Sequence, residues 1–330
     1  MNVLLIKLGA LGDVLRTTPL VPALKQKWPG ARVTWLSAEP ARPLIERHPD
    51  VDKIVTIESV EAGETDICGL SWDAIVNLDE DAAATRIARD APAREKFGIT
   101  RNAAGRLAPL SPLAEELIRL ASDDRMKFRE NQMPYQALYF RSAGLTWMGV
   151  PYIYSAPPDA SARRARLFGD SDRSTQARAG MFVGASPRYA NKFWTESEIE
   201  IFCAEYQAAP RDRELVLFGG PGERERLDRL AASASCRNLR RIGVDTLDDL
   251  AAAVSGFQTV ICGDTLVMHL AEALGVRTVV LFGPTSHTEI FLHGQKVVSP
   301  YSCGPCYLRV CGIRPSCMSA ITPRRVLAGL

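Results

Sequence analysis

The sequence lacks any apolar run long enough for a membrane-spanning helix. No stretch of its 330 residues approaches the roughly 18 consecutive apolar residues that a span requires. The apolar start of the chain is broken by Lys7 and followed at once by Gly9 and Asp13, which makes it too short and too polar for a signal peptide. We therefore expect a cytoplasmic protein with at most peripheral contact at the inner face of the cytoplasmic membrane.

Long runs of one charge sign are also absent. The 40 Lys and Arg residues nearly balance the 38 Asp and Glu residues, and the formal net charge at pH 7 is +2. This balance gives no reason to expect a general nucleic-acid-binding protein, so an anionic ligand must be held by local groups. With 46% apolar residues and neither an internal repeat nor a low-complexity segment, the chain is typical of a globular protein with two domains.

The eight cysteines fall into two groups. Four are scattered singly, as small buried apolar residues usually are, and a disulfide framework is not expected in the cytoplasm: Cys68, Cys203, Cys236 and Cys262. The other four lie together in a cysteine-rich loop, residues 303–317: Cys303, Cys306, Cys311 and Cys317. Four thiolates this close together could hold structural zinc or iron, but the second C-x2-C pair of a metal knuckle is missing, so a loop packed by reduced thiols remains the alternative.

The apolar pattern predicts an α/β fold. Short β-branched runs alternate with longer helical patterns, which indicates mainly parallel sheets with helices on both faces. Predicted strands are residues 3–8, 32–36, 53–57, 74–78, 180–183, 214–218, 259–262 and 277–282; predicted helices are 22–28, 133–143, 195–206, 223–232 and 265–274. A segment rich in Pro, Ser, Ala and Arg predicts a linker at 156–174, between a first domain of residues 1–155 and a second of residues 175–330.

The loop GALGD follows the first predicted strand and opens a helix. Gly9 and Gly12 allow a tight turn and the close approach of a ligand to the backbone. The spacing is not GxGxxG, so a nicotinamide-dependent oxidoreductase is disfavoured. Asp13, at the start of the helix, is kept ionised by the amide dipoles and can accept a proton; the alternative is that it only caps the helix.

In the second half, three segments carry candidate ligand-binding residues. Asp264 and Thr265 end a strand and begin a helix whose free amides can bind a diphosphate, and His269 lies one turn further on. Ser186 and Lys192 lie on a loop after a strand, where they can meet a phosphate. Glu223 follows a glycine-rich turn, where its carboxylate can accept hydrogen bonds from ribose hydroxyls.

Taken together, these segments resemble the ADP-heptose lipopolysaccharide heptosyltransferases, a family of inverting bacterial glycosyltransferases. The resemblance spans nearly the whole chain. It rests on IKLGALGDVLRTTP, ANKFW, LFGGPGE, GDTLVMHLAEALG, LFGPTSHTEI and CGPCYLRVCGIRPSCMSAITPRRV, in this order.

The resemblance implies two facing Rossmann-like domains of the GT-B type, with the active site in the cleft between them. The first domain would bind the acceptor, a glycolipid or glycan such as a lipopolysaccharide core, and the second the nucleotide sugar, most simply ADP-heptose. Asp13 would be the general base of a single inverting displacement that needs no cofactor. Lys192 and the amides at Thr265 would stabilise the leaving diphosphate, Glu223 would lie near the ribose, and Asp264 and His269 would line the donor pocket.

Several alternatives remain open. Many relatives have a glycine after the Asp-Thr pair where this chain has Leu266 and Val267, so another nucleotide sugar would be the donor if the pocket differs in shape. A nucleotide-sugar epimerase, or a non-catalytic redox or metal sensor built on the same fold, would share the architecture.

Overall fold

The computed structural model describes residues 1–169, 177–185, 187–208 and 213–330. Within these residues the chain forms two compact units, Met1–Ser155 and Ala156–Leu330. Each unit is built on one six-stranded sheet flanked by helices, which confirms the predicted α/β class. No helix in the described ranges is both long enough and apolar enough to cross a bilayer.

The first unit has a sheet in the order β3-β2-β1-β4-β5-β6, parallel except for the antiparallel pair β5 and β6. Its strands are β1 (Asn2–Ile6), β2 (Arg32–Ser37), β3 (Lys53–Thr56), β4 (Trp72–Asn77), β5 (Ala93–Arg101) and β6 (Leu107–Pro109). Its helices are α1 (Leu11–Thr17), α2 (Leu20–Lys27), α3 (Arg42–Ile45), α4 (Ile57–Glu61), α5 (Ala82–Asp90), α6 (Glu115–Ser122) and α7 (Tyr135–Ser142), with a π-helical turn at Met126–Glu130.

The second unit has a fully parallel sheet in the order β12-β11-β10-β7-β8-β9. Its strands are β7 (Ala177–Phe182), β8 (Arg213–Gly219), β9 (Arg240–Gly243), β10 (Thr259–Gly263), β11 (Arg277–Phe282) and β12 (Gln295–Val298). Its helices are α8 (Ala160–Phe168), α9 (Glu196–Ala208), α10 (Arg224–Ala232), α11 (Leu247–Ser255), α12 (Leu266–Ala273) and α13 (Pro323–Leu327).

The central strands form where the sequence predicts them because strands covered on both faces are almost continuously apolar. In β1, every residue from Val3 to Ile6 is fully buried. Side-chain hydrogen bonds also fix the starts of α11 and α9. The hydroxyl of Thr246 accepts a hydrogen bond from the amide of Asp249 at 3.1 Å, and the carboxylate of Glu198 accepts one from the amide of Thr195 at 2.7 Å.

The two sheets have the same strand order when each is read from its own first strand. In both, the first strand has the second on one side and the fourth on the other, so the winding direction reverses between β1 and β4 and between β7 and β10. This is the Rossmann order, and ligands bind such sheets outside the carboxyl ends of the strands at the point of reversal. Each unit therefore has one preferred place for a site.

The predicted linker at 156–174 is partly wrong. Ala160–Phe168 forms α8, which packs on α11, while 170–174 lie outside the described residues. Arg163 and Arg166 contact the buried carboxylate of Asp249, at 3.0 and 2.5 Å. Phe168 is fully buried and meets Phe257 edge to face, with 5.4 Å between ring centroids. The polar composition of the segment reflects the exposed side of a helix that is anchored by one aromatic residue and two arginines.

The prediction that the four scattered cysteines are buried apolar residues holds for three of them, Cys203, Cys236 and Cys262. All eight thiols are free. Cys203 and Cys236 are fully buried and close enough that each thiol shifts the pKa of the other, raising that of Cys203 and lowering that of Cys236. Cys68 is only half-buried. Only Cys262 is a lone buried thiol as expected, because the contact between the other two arises from the packing of α9 against the chain that follows α10.

Candidate active site

Asp13 lies in the first turn of α1, just beyond the carboxyl end of β1. The N-cap position of this helix is Ala10, so Asp13 is not the capping residue that the sequence left open as an alternative. One carboxylate oxygen of Asp13 is 2.5 Å from the guanidinium of Arg16 and the other is 3.9 Å from the ammonium of Lys7. The side chain keeps 30% of its surface exposed. Asp13 is therefore held by two cations and still open to a ligand.

Lys7 and Asp79 form a buried ion pair across the reversal point of the first sheet. Lys7 follows β1, Asp79 follows the neighbouring strand β4, and their charged atoms are 3.1 Å apart. The same carboxylate accepts hydrogen bonds from the amides of Leu8 at 2.9 Å and Gly9 at 3.4 Å. Asp79 thus ties the loop that leads to Asp13 to the adjacent strand.

Both members of this pair remain charged near neutral pH. Burial by itself would lower the pKa of Lys7, but Tyr139 and the carboxylates of Asp13 and Asp79 outweigh burial and raise it. Burial would raise the pKa of Asp79, but the charge of Lys7 and hydrogen bonds from backbone amides outweigh it and lower that pKa. The environment of Asp13 therefore contains fixed charges.

Arg16 completes the cluster in the first unit. Only 8% of its side chain is exposed, and its guanidinium lies 4.2 Å from the centre of the Tyr135 ring. Burial alone would lower the pKa of Arg16, but Asp13 and the neighbouring tyrosines outweigh burial and raise it. The guanidinium therefore stays charged. The stacking on Tyr135 and the ion pair together hold Asp13 in one orientation.

In the second unit, Lys192 and Asp264 repeat this arrangement. Lys192 ends the helical turn Pro187–Lys192 that follows β7, and Asp264 follows β10, so they also flank the reversal point. Their charged atoms are 3.1 Å apart, and both side chains are largely buried. Burial raises the pKa of Asp264, but the charges of Lys192 and His269 outweigh burial and lower it.

Gly263 fixes the distance between the two strands that carry this pair. A Cβ atom on Gly263 would come within 2.2 Å of the carbonyl oxygen of Lys192. A side chain at this position would therefore push Lys192 away from Asp264, which explains why the sequence has glycine immediately before the acid.

Thr265 and His269 stand where the sequence places them, on successive turns at the start of α12. Thr265 is the N-cap residue, and in the part of the chain that the structure describes its hydroxyl oxygen is buried without a hydrogen-bond partner. His269 is 5% exposed and close enough to Asp264 to lower its pKa. A hydroxyl and helix amides are thus brought together with Lys192, which suits an anionic phosphate.

Glu223 lies at the same edge of the second sheet, after β8. Its carboxylate accepts a hydrogen bond from the amide of Gly220 at 3.0 Å, and a Cβ atom on Gly184 would lie 2.3 Å from it. Burial raises the pKa of Glu223 despite the amide. The glycines after β7 and β8 therefore leave room for this carboxylate beside the end of β7.

Three predicted positions, Gly9, Gly12 and Ser186, have different outcomes. Gly9 has open space where a Cβ atom would stand, so a ligand can approach the backbone there, and Gly12 is buried within α1. Ser186 lies outside the described residues.

The cysteine-rich loop does not bring together the metal site that the sequence suggests. In the described ranges, no three His, Cys, Asp or Glu side chains are placed to share a metal ion. Cys303 is exposed, Cys311 accepts a hydrogen bond from the amide of Ile313, and Cys317 packs against Gly283. Burial raises the pKa of Cys317, and the nearby thiolates of Cys306, Cys303 and Cys311 raise it further, so Cys317 lies within electrostatic range of the other three cysteines.

Lys7, Arg16 and Asp79 were not predicted as site residues. Lys7 carried a signal, since a lysine at the end of an apolar strand needs a buried partner. Its partner follows a different strand, and the pairing of β1 with β4 could not be read from local sequence.

A known protein family matches this chain. The sequence profile of glycosyltransferase family 9 (heptosyltransferase) matches residues 141–314, which is more than half of the chain. The chain belongs to glycosyltransferase family 9. This family 9 protein is therefore a glycosyltransferase, as the sequence predicts.

Similar proteins cover the whole chain. The lipopolysaccharide heptosyltransferase 1 of Pseudomonas aeruginosa is 24% identical over 100% of this chain and 97% of its own length. The structure of an Escherichia coli ADP-heptose lipopolysaccharide heptosyltransferase II has a TM-score of 0.67 and 18% identity, over 100% of this chain and 97% of that chain. An E. coli heptosyltransferase with ADP-2-deoxy-2-fluoro heptose has a TM-score of 0.62 and 19% identity, over 99% and 98%. These likenesses show that this family 9 enzyme has the GT-B heptosyltransferase fold.

Proposed function

We propose that this enzyme transfers heptose from ADP-heptose to a hydroxyl group of a lipopolysaccharide core acceptor, by a single inverting displacement. The donor is supported by the E. coli structure with an ADP-heptose analogue and the acceptor by the P. aeruginosa lipopolysaccharide heptosyltransferase.

The second unit holds the nucleotide diphosphate in this proposal. Lys192, the hydroxyl of Thr265 and the first amides of α12 bind the phosphates, because a cation, a donor hydroxyl and a helix N-terminus all favour negative charge. Asp264 holds the ammonium of Lys192 in place at 3.1 Å. Glu223 accepts hydrogen bonds from the ribose hydroxyls.

The first unit supplies the base. As the acceptor oxygen attacks the anomeric carbon, its proton passes to the carboxylate of Asp13. The bond between the anomeric carbon and the phosphate oxygen breaks, and its electron pair goes to the departing ADP. Lys192 and the amides at Thr265 stabilise the charge that develops on the leaving phosphate.

The observation that carries this assignment is the exposure of Asp13 within a buried charge cluster. Asp13 keeps 30% of its side chain exposed, whereas Lys7, Arg16 and Asp79 retain 10% or less. A carboxylate that served only to neutralise two buried cations would be expected to be as buried as they are. Arg16 and Lys7 hold the carboxylate of Asp13 in place while part of its surface stays accessible to an acceptor, which suits a general base.

Titration calorimetry with ADP, UDP, GDP and NAD, followed by a transfer assay with ADP-heptose, tests the proposal. We expect selective binding of ADP and transfer of heptose to an isolated lipopolysaccharide core acceptor with inversion at the anomeric carbon. Selective binding of UDP or GDP would overturn the donor assignment, and retention of configuration would overturn the single displacement. Turnover of the donor into an epimer without acceptor would identify an epimerase instead.

A further inference from the structure

The cysteine-rich loop, residues 303–317, is attached to the segment that follows β11. The amides of Cys306 and Tyr307 both donate hydrogen bonds to the carbonyl of Pro284, each at 2.9 Å. Gly304 packs so closely on Gly283 that a Cβ atom on Gly304 would lie 2.8 Å from the carbonyl oxygen of Gly283. This end of the loop is thus held against the chain next to the proposed donor site.

A second attachment joins the loop to the turn that carries Lys192. The side-chain amide of Asn191 donates a hydrogen bond to the carbonyl of Leu308 at 2.9 Å. The guanidinium of Arg309 lies 6.0 Å from the centre of the Tyr189 ring, and the ammonium of Lys192 lies 5.0 Å from the same centre. The cysteine-rich loop therefore connects the two segments that enclose Lys192 and Asp264.

Tyr307 stands between these two attachments in an uncommon backbone conformation. Its φ is +52°, which is unfavourable for a bulky side chain and persists only where the surroundings hold it. The phenol oxygen accepts a hydrogen bond from the amide of Ser286 at 3.2 Å, and the hydroxyl donates one to the carboxylate of Glu289. The loop thus places one aromatic hydroxyl at the segment after β11.

The surroundings of Tyr307 are acidic. Burial and the carboxylate of Glu289 raise its pKa, and the carboxylate of Asp264 raises it further, so the phenol stays protonated and lies within electrostatic range of Asp264. Glu289 is 5% exposed. A buried carboxylate, a phenol and Asp264 together suit a neutral ligand with many hydroxyl groups better than they suit a phosphate.

We propose that Glu289 and Tyr307 recognise hydroxyl groups of the donor sugar and that the cysteine-rich loop holds Tyr307 in place for this purpose. An ionised carboxylate accepts hydrogen bonds and donates none, so Glu289 would favour the hydroxyl donors of a sugar over the oxygens of a phosphate. The inference rests on the proposed function, because it requires the nucleotide-sugar site to lie in the second unit.

Titration calorimetry with two probes, ADP and ADP-heptose, tests the proposal on the full chain. Glu289→Gln is expected to weaken ADP-heptose binding about 10- to 100-fold, since hydrogen bonds to charged groups are the strong ones, and Tyr307→Phe about 3- to 10-fold. ADP binding is expected to stay unchanged in both variants, because ADP lacks the sugar. Tyr301→Phe is the matched control, because the Tyr301 hydroxyl donates a hydrogen bond of 3.2 Å to the carbonyl of Pro315 in the cysteine-rich loop. The Tyr301→Phe protein should bind both probes as wild type does.

The comparison of the two probes separates sugar recognition from a structural role. If the variants bind ADP and ADP-heptose with equal losses, or with no loss, Glu289 and Tyr307 do not contact the sugar and the inference is wrong. A wild-type protein that binds neither probe would overturn the proposed function and this inference with it. Normal ADP binding by each variant also shows that it is folded, so a selective loss for ADP-heptose supports the inference.

Discussion

Asp13→Asn removes the charge of the candidate base and keeps its shape. If Asp13 accepts the acceptor proton, turnover with both substrates saturating should fall by a factor of about 100 to 10,000, the usual contribution of a general base. ADP affinity should not change, because the residues assigned to the nucleotide, including Lys192 and Thr265, belong to the second unit.

The same substitution has a stability cost that follows from the geometry. It leaves Arg16, which is 8% exposed and 2.5 Å from the lost charge, without its anion. Breaking a fully buried ion pair costs about 3–5 kcal/mol and an exposed pair about 0.2–1 kcal/mol. Since Asp13 is 30% exposed, we expect a loss of about 1–3 kcal/mol, which corresponds to a fall in Tm of roughly 2–12 °C.

The assay is therefore single-turnover transfer from ADP-heptose, measured well below the Tm of the variant. Asp81→Asn is the matched control, because Asp81 caps α5 in the same unit with a hydrogen bond of 2.7 Å from the amide of Ala83 and has no assigned role in catalysis. Because asparagine caps a helix about as well as aspartate does, this variant should keep both stability and turnover close to those of wild type. An Asp13→Asn protein that retains turnover within about fivefold of wild type would refute the role of Asp13 as a general base.

Three further perturbations follow from the packing. Lys7→Met should destabilise the chain by about 3–5 kcal/mol in chemical denaturation, because it leaves Asp79 as an unpaired buried charge; Lys7→Met with Asp79→Asn should recover part of the loss. Lys192→Met should weaken ADP binding about tenfold or more in calorimetry, whereas Lys53→Met, on the exposed end of β3, should not. Phe168→Ala should cost about 3–5 kcal/mol in urea unfolding, which would show that α8 is part of the second core.

The Lys7 and Asp79 prediction has a pH signature. The folded-state pKa of Asp79 is lowered, so its stabilisation is present above the unfolded value of about 3.9 and is lost as the pH falls through the folded value. Acid unfolding of wild type should therefore depend on this pair. The double variant should show a weaker fall in stability below about pH 4; an identical acid dependence would contradict the argument.

Sequence patterns located most of the central strands but missed elements whose apolar signal is diluted. The boundaries predicted for residues 277–282 are those of β11, since a parallel strand buried on both faces is a readable apolar run. In contrast, β5 was missed because Arg94, Glu95 and Lys96 interrupt its first half. The strand forms because residues 93–98 pair with β4 and residues 99–101 with β6, which is a tertiary effect.

The sequence alone determined the α/β class and the family resemblance. It also supplied the candidate site residues, whose roles remain predictions: Asp13, Lys192, Asp264, Thr265 and His269. These residues lie in segments that follow a strand or begin a helix, and such local features can be read along the chain. Only the tertiary structure decided which charges surround them. Residues 7 and 79 meet because β1 pairs with β4, and residues 192 and 264 meet because β7 pairs with β10. Contacts between distant segments depend on strand order, and nothing in the local sequence specifies that order.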